Sequence, residues 1–267
     1  GLGDVYKRQV IDMPTRFVDF MRVLVPMAGD DTTPEGEQVN IYGNHVGSWN
    51  FAATAYLNQW KVKIYYEHYF DDHSQMFFQY GRWKDGHIGL EITFPKNRFI
   101  DTFVYEGLGT KDQTGPMLYD SFWGEFEEQI SAKDNYYNHY LYQGWQHWGM
   151  GIGNPLLPGP IYNKNGQITF ISNRVLAHHI GFCGSPCQSL SYRMLLSYSR
   201  HWGTYDNPLN EIKKQFNSLF EVTYAPQQLK GWSFTVSGAM DRGSMLGNNY
   251  GGMLVIRKQG IIKSGNK

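Results

Sequence analysis

The chain has 267 residues, and its 24 Lys and Arg balance 24 Asp and Glu, so it carries no formal net charge. That balance argues against nucleic acid as a partner and against a charged interaction tail. No run approaches the ~18 consecutive apolar residues of a membrane-crossing helix, which leaves open only spans made of strands.

Residues 1–9 (GLGDVYKRQ) read as a non-native adapter scar, so the fold is argued from residue 10 onward. The segment Arg16–Met27 fits either a first strand or a helical piece, with Pro26 arguing against a central strand. From there the dominant signal is period-two alternation. A strand over 49–57 meets one over 60–72 through a tight turn at Asn58-Gln59. In the second, Trp60, Val62, Ile64, Tyr66, His68 and Phe70 share one face, and Lys61, Lys63, Tyr65, Glu67 and Tyr69 the other.

A strand over 86–95 is expected to turn at Lys96-Asn97 into one over 99–109, followed by a long excursion, 110–173. The pattern resumes with strands at 174–184 and 188–201 around Ser185-Pro186, then 214–225, 231–242 and 248–258. Tyr192, Met194, Leu196, Phe234 and Val236 join the apolar face, while Glu91, Glu106, Glu221 and Arg193 join the polar one. The strands are longer than the usual ~5–6 residues and close to the ~9–11 that cross a bilayer. Short and long connections also alternate. The fold expected on these grounds is all-β: an antiparallel transmembrane β-barrel with about 9–10 strands present. Its apolar face would meet outer-membrane lipid.

Several words along the chain carry a resemblance. They are GNHVGSWNF (43–51), YYEHYFDDHS (65–74), KDQTGP (111–116), DNYYNH (134–139), GWQHWGMGIGNPL (144–156), NRVLAHHIG (173–181), HWGTYDNP (201–208) and NNYGGM (248–253). As a set they resemble the Wzi capsule-assembly family of Bacteroidetes-type bacteria. The resemblance implies an outer-membrane barrel of about eighteen strands, of which residues 10–267 would be an incomplete, C-terminal part. It implies a protein that binds capsular polysaccharide and helps assemble or anchor the capsule, together with capsule export machinery. A porin-like outer-membrane channel is the alternative.

The candidate polysaccharide site lies in the excursion: Asp134, Asn135, Tyr136, Tyr137, His139, Trp145, Gln146, His147 and Trp148. Aromatic planes offer apolar area to sugar C–H faces, and neighbouring amides and acids fix the hydroxyls. The competing reading is that these aromatics pack the loop onto itself. Cys183 and Cys187 flank a turn and are either a hairpin disulfide or two free thiols.

No catalytic residue, cofactor or metal is expected. There is no nucleophile-elbow motif. His68, Asp71, Asp72 and His73 read as a strand face followed by a solvated loop rather than a zinc site. The adjacent His178 and His179 point to opposite faces of one strand and cannot meet on one ion.

Overall fold

A computed structural model describes residues 16–25, 27, 30, 45–71, 85–97, 99–113, 135–138 and 144–260. The ambiguous first segment is a helix, α1 (Phe17–Leu24). The Asp19 carboxylate accepts hydrogen bonds from the Arg16 backbone N–H and guanidinium at 3.0 Å each, placing an acid in the first turn where the helix dipole favours it.

Four strands follow: β1 (Val46–Leu57), β2 (Trp60–Asp71), β3 (Gly86–Thr93) and β4 (Thr102–Gly109). Within the excursion, two-residue strands β5 (Gln146–His147) and β6 (Met150–Gly151) form a miniature hairpin. Five long strands complete the chain: β7 (Val175–Cys187), β8 (Leu190–Gly203), β9 (Pro208–Tyr224), β10 (Trp232–Gly243) and β11 (Asn249–Lys258). All but β5 and β6 belong to one antiparallel sheet in the order β1-β2-β3-β4-β7-β8-β9-β10-β11.

Local chemistry explains the turns. Asn58 takes the left-handed conformation (φ 57°) that closes the two-residue β1–β2 turn, a conformation asparagine tolerates better than most residues. The β3–β4 connection is longer than the two residues expected. Asn97 organises it: its Oδ1 accepts the N–H groups of Phe99 and Ile100, and its amide donates to the carbonyls of Pro95 and Ile100. The β7–β8 turn falls at Gln188-Ser189 rather than Ser185-Pro186, because a bulge between Gly184 and Cys187 absorbs Pro186. A residue without an N–H is tolerated at such a break in the ladder.

The expected transmembrane barrel is corrected here. Among the described residues no pairing joins β1 to β11, so the sheet is open with two edges. Alternation along a strand fixes which side chains share a face. Closure depends on tilt and stagger summed over all strands, which no single strand encodes. Among the described residues no helix is long and apolar enough to cross a membrane.

The sheet is nonetheless strongly two-faced. One face carries Phe51, Ile64, Ile88, Phe220, Val236, Leu254 and Ile256, all exposed. The other carries the polar residues and curls inward, since a single cavity is lined from both β1 and β9. The excursion folds onto this inner face. There Tyr137, Leu157, Phe170, Val175 and Ala177 form the buried apolar cluster, with Val46, Leu108, Trp145 and Leu156 packed against it.

Candidate functional site

Strand register assembles the site from rows that run across the sheet. One row reads Tyr65 (β2), Gly89 (β3), Glu106 (β4), His179 (β7), Ser197 (β8), Asn217 (β9) and Asp241 (β10). The next reads Glu67, His87, Leu108, Ala177, Ser199 and Gln215. Because directly opposed residues point to the same side, the sheet aligns these side chains on the inner face. The excursion contributes Asn154–Leu157 and Tyr162 to the opposite wall, and between them lies a half-open cavity of about 800 Å³. Small-molecule sites typically measure ~300–1,000 Å³.

The charged centre of this cavity is His87. Its Nδ1 lies 3.7 Å from Glu67 Oε2 and its Nε2 lies 3.5 Å from Glu106 Oε1. The contact with Glu106, reinforced by Glu67, outweighs burial and raises the imidazole pKa above its ordinary value. The Glu106 carboxyl is correspondingly held down at about 2, by His87 first and, against the opposing effect of burial, by the Tyr65 hydroxyl that donates to it. Burial, and then that bond to Glu106, push the Tyr65 phenol up.

Gly89 makes this bond geometrically available. It stands between Tyr65 and Glu106 in the row, and a Cβ there would fall 2.0 Å from the Tyr65 ring. The absent side chain is the channel through which the phenol crosses β3.

Beyond the centre the wall is made of neutral hydrogen-bonding groups. Ser48 Oγ donates to Glu67 at 2.6 Å, and His179 Nδ1 lies 2.6 Å from Ser197 Oγ. Burial lowers the His179 pKa and takes His201 down to about 4, so both imidazoles are neutral at neutral pH. Ser199 Oγ lies 2.9 Å from His201 Nε2, and Asn217 donates to Asp241 at 2.7 Å.

A second polar cluster pins the ends of the excursion. Buried Asp85 accepts the backbone N–H groups of Asp112 (2.9 Å) and Gln113, and the Tyr136 hydroxyl (3.1 Å). Asn173 donates to Asn135 Oδ1 (2.6 Å) and to the Tyr136 carbonyl (2.8 Å), and its own carbonyl accepts Thr110 Oγ1 (2.6 Å). Desolvation dominates at Asp85 and raises its carboxyl to about 6 despite these donors.

The residues expected to bind polysaccharide are divided by the structure. Tyr136 and Tyr137 are buried, Asn135 belongs to the Asn173 network, and Trp145 packs on the apolar cluster. Gln146 caps the miniature hairpin by accepting the Gly149 N–H at 2.7 Å. Only His147 and Trp148 are exposed, ring against edge at 6.1 Å. Asp134 and His139 lie outside the described residues.

Sequence reasoning placed Glu67 and Glu106 on a polar face. It also placed Gly89 and Ser197 on the polar faces of their strands but made no site of these residues, and it passed over His87 and Asn217; the signal that joins them is cross-strand register. Among the described residues no three His, Cys, Asp or Glu side chains converge in a way that could hold a metal ion, and Asp72 and His73 are outside that set. Cys183 and Cys187 are both free. They pair with Arg193 and Leu190, three residues apart and so ~10 Å along β8, which is beyond the reach of a disulfide.

No protein-family model, curated protein or solved structure matches the chain. The resemblance to the Wzi capsule-assembly family is therefore overturned. With it go the eighteen-stranded outer-membrane barrel, capsule assembly or anchoring, the porin-like alternative and the outer-membrane location. The open sheet independently removes the closed wall that a barrel or channel requires.

Proposed function

We propose that the inner face is a non-catalytic binding site for a small polyhydroxylated ligand, of neutral saccharide character, held across Glu67, His87 and Glu106. The observation that carries this reading is the composition of the cavity wall. Carboxylate acceptors sit beside serine, amide and neutral imidazole groups, and the aromatic residues Tyr69 and Tyr162 complete the lining. Sugars present hydroxyl edges that both donate and accept, and apolar C–H faces that suit aromatic planes. The two glutamates disfavour acidic sugars.

Catalysis is disfavoured by the same electrostatics. Glycoside cleavage needs a carboxyl held in its acid form, whereas Glu106 is held ionised. Asp85, whose carboxyl is raised, lies beneath Tyr136 and does not line the cavity. The Ser197–His179 pair has, among the described residues, no carboxylate hydrogen-bonded to the imidazole's second nitrogen.

Titration calorimetry with a panel of neutral, basic and acidic oligosaccharides tests the reading. A neutral or basic sugar should bind, and Glu67→Gln and Ser197→Ala should each weaken it roughly tenfold, about 1.4 kcal/mol. Failure of every sugar to bind at millimolar concentration, or binding indifferent to both substitutions, would overturn it.

A further inference from the structure

Two residues further along the strands, toward the β7–β8 turn, the inner face changes character. The row beyond Glu106, His179, Ser197 and Asn217 reads Val104 (β4), Gly181 (β7), Leu195 (β8), Leu219 (β9) and Ala239 (β10). None of the five carries a polar side chain, although all share the face of the charged centre. The following row is polar again, with Thr102, Cys183, Arg193 and Glu221. On β3 and β2 the apolar row gives way to Glu91 and Lys63. The result is an apolar strip one row deep, set between polar rows.

A second cavity, of about 320 Å³, opens over this strip. Glu106, His179 and Ser197 line both it and the larger cavity, so the two share a wall. Leu195 lies across its floor beside Gly181, where a Cβ would fall 3.1 Å from Leu195 Cδ2. Arg193, tied to Glu221 at 3.3 Å, lines its far end. Leu195 is 39% exposed, so its apolar surface is not used up by packing within the chain.

A free sugar held across Glu67, His87 and Glu106 leaves this smaller cavity unfilled. A polar head with an apolar substituent fills both, because the apolar row begins only ~7 Å along the strands from the polar one. An apolar space of roughly 150 Å³ accepts a benzene ring, so the smaller cavity has room for an aryl or short alkyl group.

We infer that the ligand is a glycoside with an apolar aglycone, its sugar in the larger cavity and its aglycone over Val104, Gly181 and Leu195. This rests on the saccharide reading of the larger cavity and adds to it the site of the aglycone.

Calorimetry of the intact chain with methyl, butyl and hexyl glycosides of glucose, galactose and mannose tests the two separately, since the methyl glycosides report the sugar site alone. Lengthening the chain from methyl to hexyl should tighten binding about tenfold or more, each buried methylene contributing roughly threefold. Leu195→Asn should abolish that gain, with circular dichroism and methyl glycoside affinity unchanged, and Val104→Thr, of nearly the same shape, should reduce it. Val236→Asn, on the outer face, should keep the gain, and Glu67→Gln should weaken every chain length alike. Methyl glycosides that bind with no gain on lengthening, a gain that survives both Leu195→Asn and Val104→Thr, or one lost in Val236→Asn would overturn the aglycone site and leave the sugar reading standing. Binding by none of the glycosides at millimolar concentration would overturn both.

Discussion

At the scale of single residues, His87 and Asp85 govern how the inner face responds to pH. His87 is the largest influence holding the Glu106 carboxyl at about 2, and the Tyr65 hydroxyl is a smaller one. His87→Gln should therefore raise the Glu106 pKa further than Tyr65→Phe does, as read from side-chain carboxyl chemical shifts. Gly89→Ala should resemble Tyr65→Phe, because the added methyl displaces the phenol. An unmoved Glu106 titration in His87→Gln would refute this account.

Asp85 responds in the opposite sense to an ion-paired carboxylate. Its pKa is raised to about 6 in the fold, against ~3.9 when unfolded. Its contribution is thus fully present below about pH 4 and is lost as pH rises through about 6. Urea midpoints of the native chain should accordingly fall relative to those of Asp85→Asn between pH 4 and 7. Parallel curves would refute the assignment. Asp85→Ala should cost about 1–3 kcal/mol, since buried donors lose their acceptor.

These residues show where sequence reading stops. Alternation reveals that Glu67 and Glu106 point to a polar face. It does not reveal that His87 stands between them or that Gly89 clears the path for Tyr65, because those facts depend on register between separate strands.

At the scale of elements, the miniature hairpin of β5 and β6 is the least expected feature. Its two turn residues, Trp148 and Gly149, both have positive φ (52° and 78°). Asparagine and glycine favour such turns, and a bulky residue there is strained by about 1–2 kcal/mol. Trp148 is also 83% exposed, with only the His147 ring against it, so little packing offsets the strain. Trp148→Asn should raise stability by about 1 kcal/mol, whereas Tyr137→Ala, in the buried cluster, should cost about 3–5 kcal/mol. A reversed order in thermal unfolding would show that the excursion packs otherwise. From the sequence both aromatics looked like equivalent sugar contacts. They belong to one aromatic-rich stretch, and only tertiary folding makes one a core residue and the other a tip. Most long strands were legible to within three residues because side-chain period is a local property, but β9 begins at Pro208, six residues before its expected start; the bulge at Gly184–Cys187 and the Asn97-organised loop displaced the turns between strands.

At the scale of the whole molecule, the exposed apolar face dominates solution behaviour. Soluble monomers rarely leave more than a few hundred Å² of contiguous apolar surface uncovered. Strong binding of an environment-sensitive dye such as ANS is expected, falling as Ile64, Val236 and Leu254 are changed together to lysine. Each side chain is more than half exposed, so each change alone should alter the chain's stability by no more than about 0.5 kcal/mol. A loss of several kcal/mol at any of them would show that this face is packed. Closure of the sheet was the part the sequence could not convey, since identical alternation serves an open sheet and a barrel.

The order of strands carries one more consequence. Eight neighbouring pairs hold the large sheet together, and seven join strands adjacent along the chain; only β4 with β7 spans the excursion. Closing that loop costs about 3 kcal/mol more entropy than closing a two-residue turn. The chain is therefore divisible into β1–β4 and β7–β11, each able to zip up by local pairing before the seam between them forms. Lys164 sits exposed within the excursion, so a single tryptic cut after it should leave two pieces that remain together through the seam and the excursion's packing. Expressed separately, the same pieces should find each other and restore the cavity, which makes the molecule a natural split protein. Pieces that stay apart after refolding would show that the excursion's covalent continuity is what holds the seam.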